Sequence, residues 1–187
     1  MWLRREFHGM TGRGCELRMS YFALLDLEAR FALSMDDLDR AYRALASRVH
    51  PDRFANGTVA ERRDALELTT EANEAYRTLK TPVLRARHLL KLRGIDVDEN
   101  REAPAAFLSA QFEWREKLGD ARAARDEAAL HTLDAAARQH AGDLNARMAA
   151  QLDGSRDDAG AVASVLQLMF LEKLLADLGD ASEALEA

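Results

Sequence analysis

The sequence predicts an all-α protein made of two helical units: an N-terminal domain carrying a helical hairpin, then a small three-helix bundle. Three observations lead there. The 187 residues include only three prolines and ten glycines, and Ala, Leu, Glu and Arg, which favour helices, are abundant. Apolar residues recur at spacings of three and four along most of the chain, with no strand-like alternation. The charge is also divided. Residues 19–94 carry 13 Lys+Arg against 11 Asp+Glu, a balance of +2, whereas residues 95–187 carry 9 against 19, a balance of −10. That asymmetry predicts two units with different partners.

Composition excludes several classes of function. Apolar content of 48% supports a real core, and the 31% charge is well mixed. No uninterrupted apolar run reaches the length needed to cross a bilayer, so no membrane partner is expected. The single Cys15 cannot form an internal disulfide framework or a cysteine-rich metal site, which fits a reducing compartment. These features describe a soluble intracellular chain. An acidic C-terminal half repels phosphate, which argues against nucleic acid there.

Residues 1–18 show no periodicity and contain three glycines and four arginines. They read as a disordered tail or a start assigned too early, with Met19 as the true start. They lack the apolar stretch of a secretory signal. A transit peptide fits the arginines but not Glu6 and Glu16. From Ser20, "SYFALLDLEARFAL" supplies one or two helical turns. A second helix opens at Ser34 with Asp37 three residues on, in the manner of a capping box. Its apolar stripe is Leu38, Tyr42, Leu45 and Val49, which leaves Arg40, Arg43, Ser47 and Arg48 on an exposed basic face. Thr58 and Glu61 form another capping box. Ala65, Leu68, Ala72, Ala75/Tyr76 and Leu79 then carry a stripe to about Lys80. Pro51, Asn56 and Gly57 between the two helices allow an antiparallel hairpin. Thr81-Pro82 starts a further helix that closes at Gly94.

Beyond an acidic linker, 95–103, three helical segments are expected at about 104–118, 121–152 and 158–179. The middle one carries Leu130, Leu133, Ala137, Ala141, Leu144, Met148 and Leu152 on one side, and short connections favour an antiparallel bundle. With residues placed 100° apart, Phe107, Gln111, Trp114 and Leu118 form a core stripe on the first segment. Leu108 and Phe112 fall roughly 110° from its centre, beside Glu116 and further from Glu113. They either pack on a neighbouring helix or form an exposed apolar patch rimmed by carboxylates. The last segment has enough leucines for a core stripe in Leu168, Leu171, Leu175 and Leu178. Val162, Leu166, Met169 and Phe170 cover its other faces, more than three helices can bury.

The stretch "RVHPDRF" interrupts the hairpin. A residue before proline is driven out of the α region, so the helix must stop at His50. Taken alone, His50-Pro51-Asp52 is an ordinary helix stop, with His near the negative helix end. A catalytic or metal role needs convergent ligands or a base and nucleophile pair, and no second histidine stands at ligand spacing.

Three motifs in order change that reading. The short apolar helix, "LDRAYRALASRVHPDRF" and "ANEAYRTLKTP" together resemble the J-domain family of co-chaperones. The resemblance implies that His50, Pro51 and Asp52 contact a heat-shock ATPase of the HscA/DnaK class and stimulate its ATP hydrolysis. Arg40, Arg43 and Arg48 would face an acidic surface on that chaperone. The second half narrows the family. No Gly/Phe-rich linker or CxxCxGxG repeat follows. "AFLSAQFEWREKL" and "LQLMFLEKLLADL" resemble the first and last bundle helices of HscB-type J-proteins, the co-chaperones of iron–sulfur cluster assembly. The resemblance covers about residues 19–180, which makes 19–94 a J-domain and 104–187 the bundle.

This likeness implies that the bundle binds the IscU scaffold through Leu108, Phe112, Glu113, Glu116 and Phe170. Ser109 departs from the family pattern, where a large apolar residue is usual, and Phe112 replaces an aliphatic one. The cysteine-rich zinc module of metazoan members cannot be built from Cys15 alone, which places the chain with the bacterial, cytoplasmic type. A mitochondrial matrix location would follow if residues 1–18 were a transit peptide. The implied protein is no enzyme and holds no cofactor or metal, since ligands for iron or a cluster are absent. Two other readings stay open: a J-protein serving a different client, and a small helical DNA-binding protein with a basic recognition helix.

Overall fold

In the computed structural model, which describes residues 20–97 and 105–186, every regular element among the described residues is helical. The chain divides into two units between Ile95 and Asp96. The readings of residues 1–18, of Cys15 and of most of the linker lie outside the described residues.

The first unit begins with α1, Tyr21–Leu24, whose N-terminus is capped by Ser20 accepting from the Ala23 amide at 3.1 Å. Helix α2 spans Met35–Val49, capped by Ser34 accepting from the Asp37 amide at 3.3 Å. Leu38 and Val49 are buried and Tyr42 and Leu45 half-buried, so the expected stripe does face inward. Helix α2 stops at His50, whose φ of −56° and ψ of 129° are the extended values a following proline demands. A short 3₁₀ turn, Pro51–Phe54, leads towards α3, Val59–Lys80.

The capping box of α3 is complete. Thr58 Oγ1 accepts from the Glu61 amide at 3.2 Å, and Glu61 Oε2 accepts from the Thr58 amide at 2.8 Å. The Thr58 amide foremost, and the Thr58 hydroxyl donating to the same oxygen at 3.0 Å, hold the Glu61 carboxyl below its ordinary value. Thr58→Ala is expected to cost the first unit about 1 kcal/mol, read as a lower midpoint in chemical unfolding at unchanged slope.

Helices α2 and α3 run antiparallel, and a polar seam fixes their register. The Tyr42 hydroxyl donates to Asn73 at 2.7 Å, the Tyr76 hydroxyl donates to Asp39 at 2.7 Å, and the two rings lie 4.5 Å apart. Helix α4, Pro82–Leu92, follows with proline at its first position, and Gly94 takes a φ of 79° just past its end. Two of its side chains tie the unit together. Arg85 is buried, donates to the Leu79 carbonyl at 3.1 Å and lies 4.9 Å from the Phe31 ring. His88 Nε2 accepts from the Tyr21 amide at 3.2 Å, and its ring stacks on Tyr21 at 4.7 Å.

Burial, aided by the Lys91 charge, pushes the His88 pKa below the ordinary imidazole value of 6.5. Below that value the unfolded chain gains a proton here that the folded chain resists. The contribution of His88 to stability is therefore complete above the ordinary value and declines as pH falls through it. Unfolding free energies measured across that range should fall more steeply for the unmodified protein than for His88→Gln.

The second unit comprises α5, Ala105–Ala124, α6, Glu127–Ala149, and α7, Asp158–Glu186. Its boundaries correct the sequence reading at three places. Helix α5 runs through Gly119 to Ala124 rather than stopping near 118. A helical glycine costs only about 1 kcal/mol relative to alanine, and Leu118 and Ala121 on either side are buried. The actual break is at Arg125, with a φ of 52°, so α6 starts after Asp126, which caps the Ala129 amide at 3.0 Å. Helix α7 continues past Gly179 to Glu186, with Ala181 buried.

A π-type turn, Ala150–Ser155, extends α6. Asp157 then caps the start of α7 by accepting from the Gly160 amide at 2.9 Å. The α6 stripe is buried as expected at Leu130, Leu133, Ala137, Leu144, Met148 and Leu152, with Ala141 half-buried. On α7, Leu168, Leu171 and Leu178 are buried, but Leu174 takes the core place expected of Leu175, which is half-buried. By length and composition α7 is long and apolar enough to cross a bilayer, which the reading of uninterrupted runs did not anticipate. Its apolar residues build the bundle core, with Ala161, Val165, Leu171 and Leu174 almost fully buried.

Candidate functional site

The tip of the α2–α3 hairpin presents His50-Pro51-Asp52 on a turn fixed from both sides. Thr69 on α3 donates towards the last α2 carbonyl, that of Val49, at 3.2 Å, and also lies 2.8 Å from its own-helix carbonyl at Ala65. Within the turn, His50 Nδ1 accepts from the Asp52 amide at 3.3 Å, and the Arg53 amide donates to the His50 carbonyl at 3.0 Å. Accepting at Nδ1 places the ring proton on Nε2, which fixes the tautomer. The same Nδ1 lies 3.6 Å from the Asp52 carboxylate. The side chains of His50 and Asp52 are both exposed.

The arginines of α2 all face solvent, as their spacing predicts, but they are not equivalent. Arg40 pairs with Asp37 one turn earlier, which weakens its charge as seen by a partner. Arg43 Nε donates to the Asp39 carbonyl at 3.1 Å. Arg48 occupies the last turn, nearest the loop, and Arg53 is exposed within it. The positive charge is therefore concentrated at the loop end of the helix. Sequence reasoning did not assign Arg53, nor Thr69 as a group that holds the turn, nor Asn73 as the partner of Tyr42.

In the second unit, Leu108 and Phe112 are exposed one helical turn apart on α5, at 41% and 72%. The alternative of burial against a neighbouring helix is therefore excluded. Glu113 and Glu116 are exposed as well. Phe170 of α7 is half-buried, meeting the buried Phe107 edge-on at 5.6 Å, while the Arg115 guanidinium lies 5.6 Å from its ring. It thus sits at the border between the core stripe and the exposed patch. Arg115 was not assigned from sequence. Among the described residues no group of three or more His, Cys, Asp or Glu could hold a metal ion.

A hairpin bearing an exposed His-Pro-Asp turn, followed by an acidic helical bundle, defines a J-domain co-chaperone. The comparisons agree with that class and narrow it. A DnaJ domain model matches residues 20–88, and a model described as the HSCB C-terminal oligomerisation domain matches residues 103–179. The chain is 47% identical to the co-chaperone protein HscB homolog of Burkholderia mallei over 172 residues, covering 91% of this chain and 98% of that one. Chaperone HscB from Vibrio cholerae superposes with a TM-score of 0.80 at 34% identity, covering 89% of this chain and 99% of its own. Human co-chaperone protein HscB gives a TM-score of 0.80 at 25% identity, covering 86% and 80%. The chain belongs to the HscB-type J-domain co-chaperones of iron–sulfur cluster assembly.

Proposed function

We propose that this protein is an adaptor. Its J-domain turn stimulates ATP hydrolysis by an HscA/DnaK-class chaperone, and its C-terminal bundle delivers an IscU-type scaffold to that chaperone. His50, Pro51 and Asp52 engage the ATPase, with Arg40, Arg43 and Arg48 steering the encounter. Leu108, Phe112, Glu113, Glu116 and Phe170 form the scaffold-binding surface. The chain performs no chemistry of its own, and the hydrolysis is the partner's. Similarity to proteins of Burkholderia and Vibrio supports the bacterial cytoplasm as its place of action.

The observation that carries this reading is the exposure of Leu108 and Phe112, in a chain that also displays His50 and Asp52 at the tip of a separate unit. A bundle whose other large apolar side chains, among the described residues, are buried or half-buried gains nothing in stability by leaving a phenylalanine in water. A partner that covers it does gain. The test is the steady-state ATPase rate of an HscA-class chaperone with and without this protein and the scaffold. Stimulation by the protein, rising further when scaffold is added, supports both roles. Stimulation indifferent to the scaffold would mean a different client, and no stimulation would return the turn to a helix stop.

A further inference from the structure

Helix α3 carries a row of residues whose N-terminal members lie outside both the α2–α3 seam and the His50 turn. Val59, Arg62, Leu66, Thr69 and Asn73 follow at spacings of three, four, three and four, so they lie along one edge of the helix. The C-terminal part of that row is tied to α2. Asn73 accepts from Tyr42, and Thr69 donates towards the carbonyl of Val49, the last residue of α2. Because the helices are antiparallel, the N-terminal part of the row continues beyond the end of α2. Val59, Arg62 and Leu66 therefore flank the His50–Phe54 turn. Val59 is 75% and Leu66 60% exposed, and Arg62 between them is exposed too.

A single exposed leucine needs no explanation. Two large aliphatic side chains in register, separated by an arginine and bordering a functional turn, form a small contact surface. Its charges are mixed: Arg62 and Arg53 are exposed beside Asp52 and the capped Glu61, and Glu67 pairs with Arg63 at 2.8 Å. A second copy of this chain is a poor occupant, since a two-fold contact would set Arg62 of one copy near Arg62 of the other.

We propose that Val59, Arg62 and Leu66 extend the chaperone-docking surface, receiving on the HscA-class ATPase an aliphatic side chain beside a carboxylate that meets Arg62. This rests on the assignment of the His50 turn to that chaperone. The turn triggers hydrolysis; the row adds affinity.

The experiment titrates the full-length protein against the chaperone's ATPase, comparing the unmodified chain, Val59→Ser/Leu66→Ser, Leu66→Met and His50→Gln. Both serine replacements are at exposed sites, and thermal unfolding confirms that the variant folds. The double serine variant should raise the concentration for half-maximal stimulation about tenfold and leave the maximal rate unchanged. Leu66→Met should behave as the unmodified protein, and His50→Gln should lose stimulation. If His50→Gln loses stimulation while the double serine titration superposes on the unmodified one, the row plays no part and the turn assignment stands. If His50→Gln stimulates normally, the turn assignment fails and the extension with it. Sedimentation showing that the serine variant dissolves a dimer would assign the row to self-association and overturn the proposal.

Discussion

His50→Gln is expected to abolish stimulation of the chaperone ATPase while the protein stays folded. The His50 ring is exposed and its bonds are confined to the turn, where Nδ1 receives the Asp52 amide. Nothing in the core of the first unit rests on it. Leu38, Val49, Ala65, Ala72 and Leu79 are buried without its help. A surface change of this kind alters stability by no more than about 0.5 kcal/mol. The cost appears only with the partner. Glutamine can imitate one ring nitrogen, but it does not reproduce a planar donor set by an Nδ1 contact within the turn. Losing a central anchor of a protein interface costs about 2 kcal/mol or more, a shift of roughly thirtyfold or greater in the protein concentration required. Unfolding curves that coincide, together with ATPase rates that fall to the unstimulated level, are the expected pair of results. Equal stimulation by the variant would contradict the assignment.

The second large effect is expected at the bundle. Leu108→Ala/Phe112→Ala should weaken scaffold binding more than a hundredfold while leaving stimulation by the protein alone intact. Covering a leucine or phenylalanine side chain contributes about 1.5–3 kcal/mol each, and a hundredfold corresponds to about 2.7 kcal/mol. Since both side chains already face water, truncation leaves no cavity and the bundle should unfold as before. The carboxylates beside them play another part. Glu113→Gln/Glu116→Gln should slow association and flatten its dependence on salt more than it lengthens or shortens the life of the complex, because rim charges act mainly on encounter. Kinetics of scaffold binding at two ionic strengths separate the two contributions.

Much of the fold was legible because its signals are local. Ser34, Thr58 with Glu61, and Pro51 each act on residues within one turn, and the helix ends they announce are where the spacing puts them. The segments expected to end near 118 and 179 run on past Gly119 and Gly179 for the opposite reason. The local cost of a helical glycine is small, and burial of Leu118, Ala121 and Ala181 by other helices outweighs it. The exchange of Leu174 for Leu175 in the core has the same origin, since which face of α7 meets the bundle depends on its neighbours. At the site, the His-Pro-Asp turn could be read from motif, and spacing set Leu108 and Phe112 apart from the core stripe without deciding that they are exposed. The contacts that hold the turn and tie the helices of the first unit together could not be read in either way. Thr69 reaches Val49 across 20 residues, Tyr42 reaches Asn73 across 31, and His88 meets Tyr21 across 67. No periodicity within a single helix reports such meetings. Nor does spacing report that Asp37 pairs with Arg40 and shifts the effective positive charge towards the turn.

If the two proposed interfaces act together, it is because one chain holds both, so that a scaffold bound to the bundle would be presented to the chaperone at high effective concentration. This can be measured by mixing. On the proposed roles His50→Gln should bind scaffold without stimulating, and Leu108→Ala/Phe112→Ala should stimulate without binding scaffold. The scaffold-dependent increment in ATPase rate is recorded for the unmodified protein, each variant, and an equimolar mixture of the two variants. An adaptor predicts that the mixture gives only the stimulation of the Leu108→Ala/Phe112→Ala variant, with no scaffold-dependent increment. Restoration of the full increment by the mixture would show that the two surfaces need not share a chain, and would contradict delivery as the protein's function.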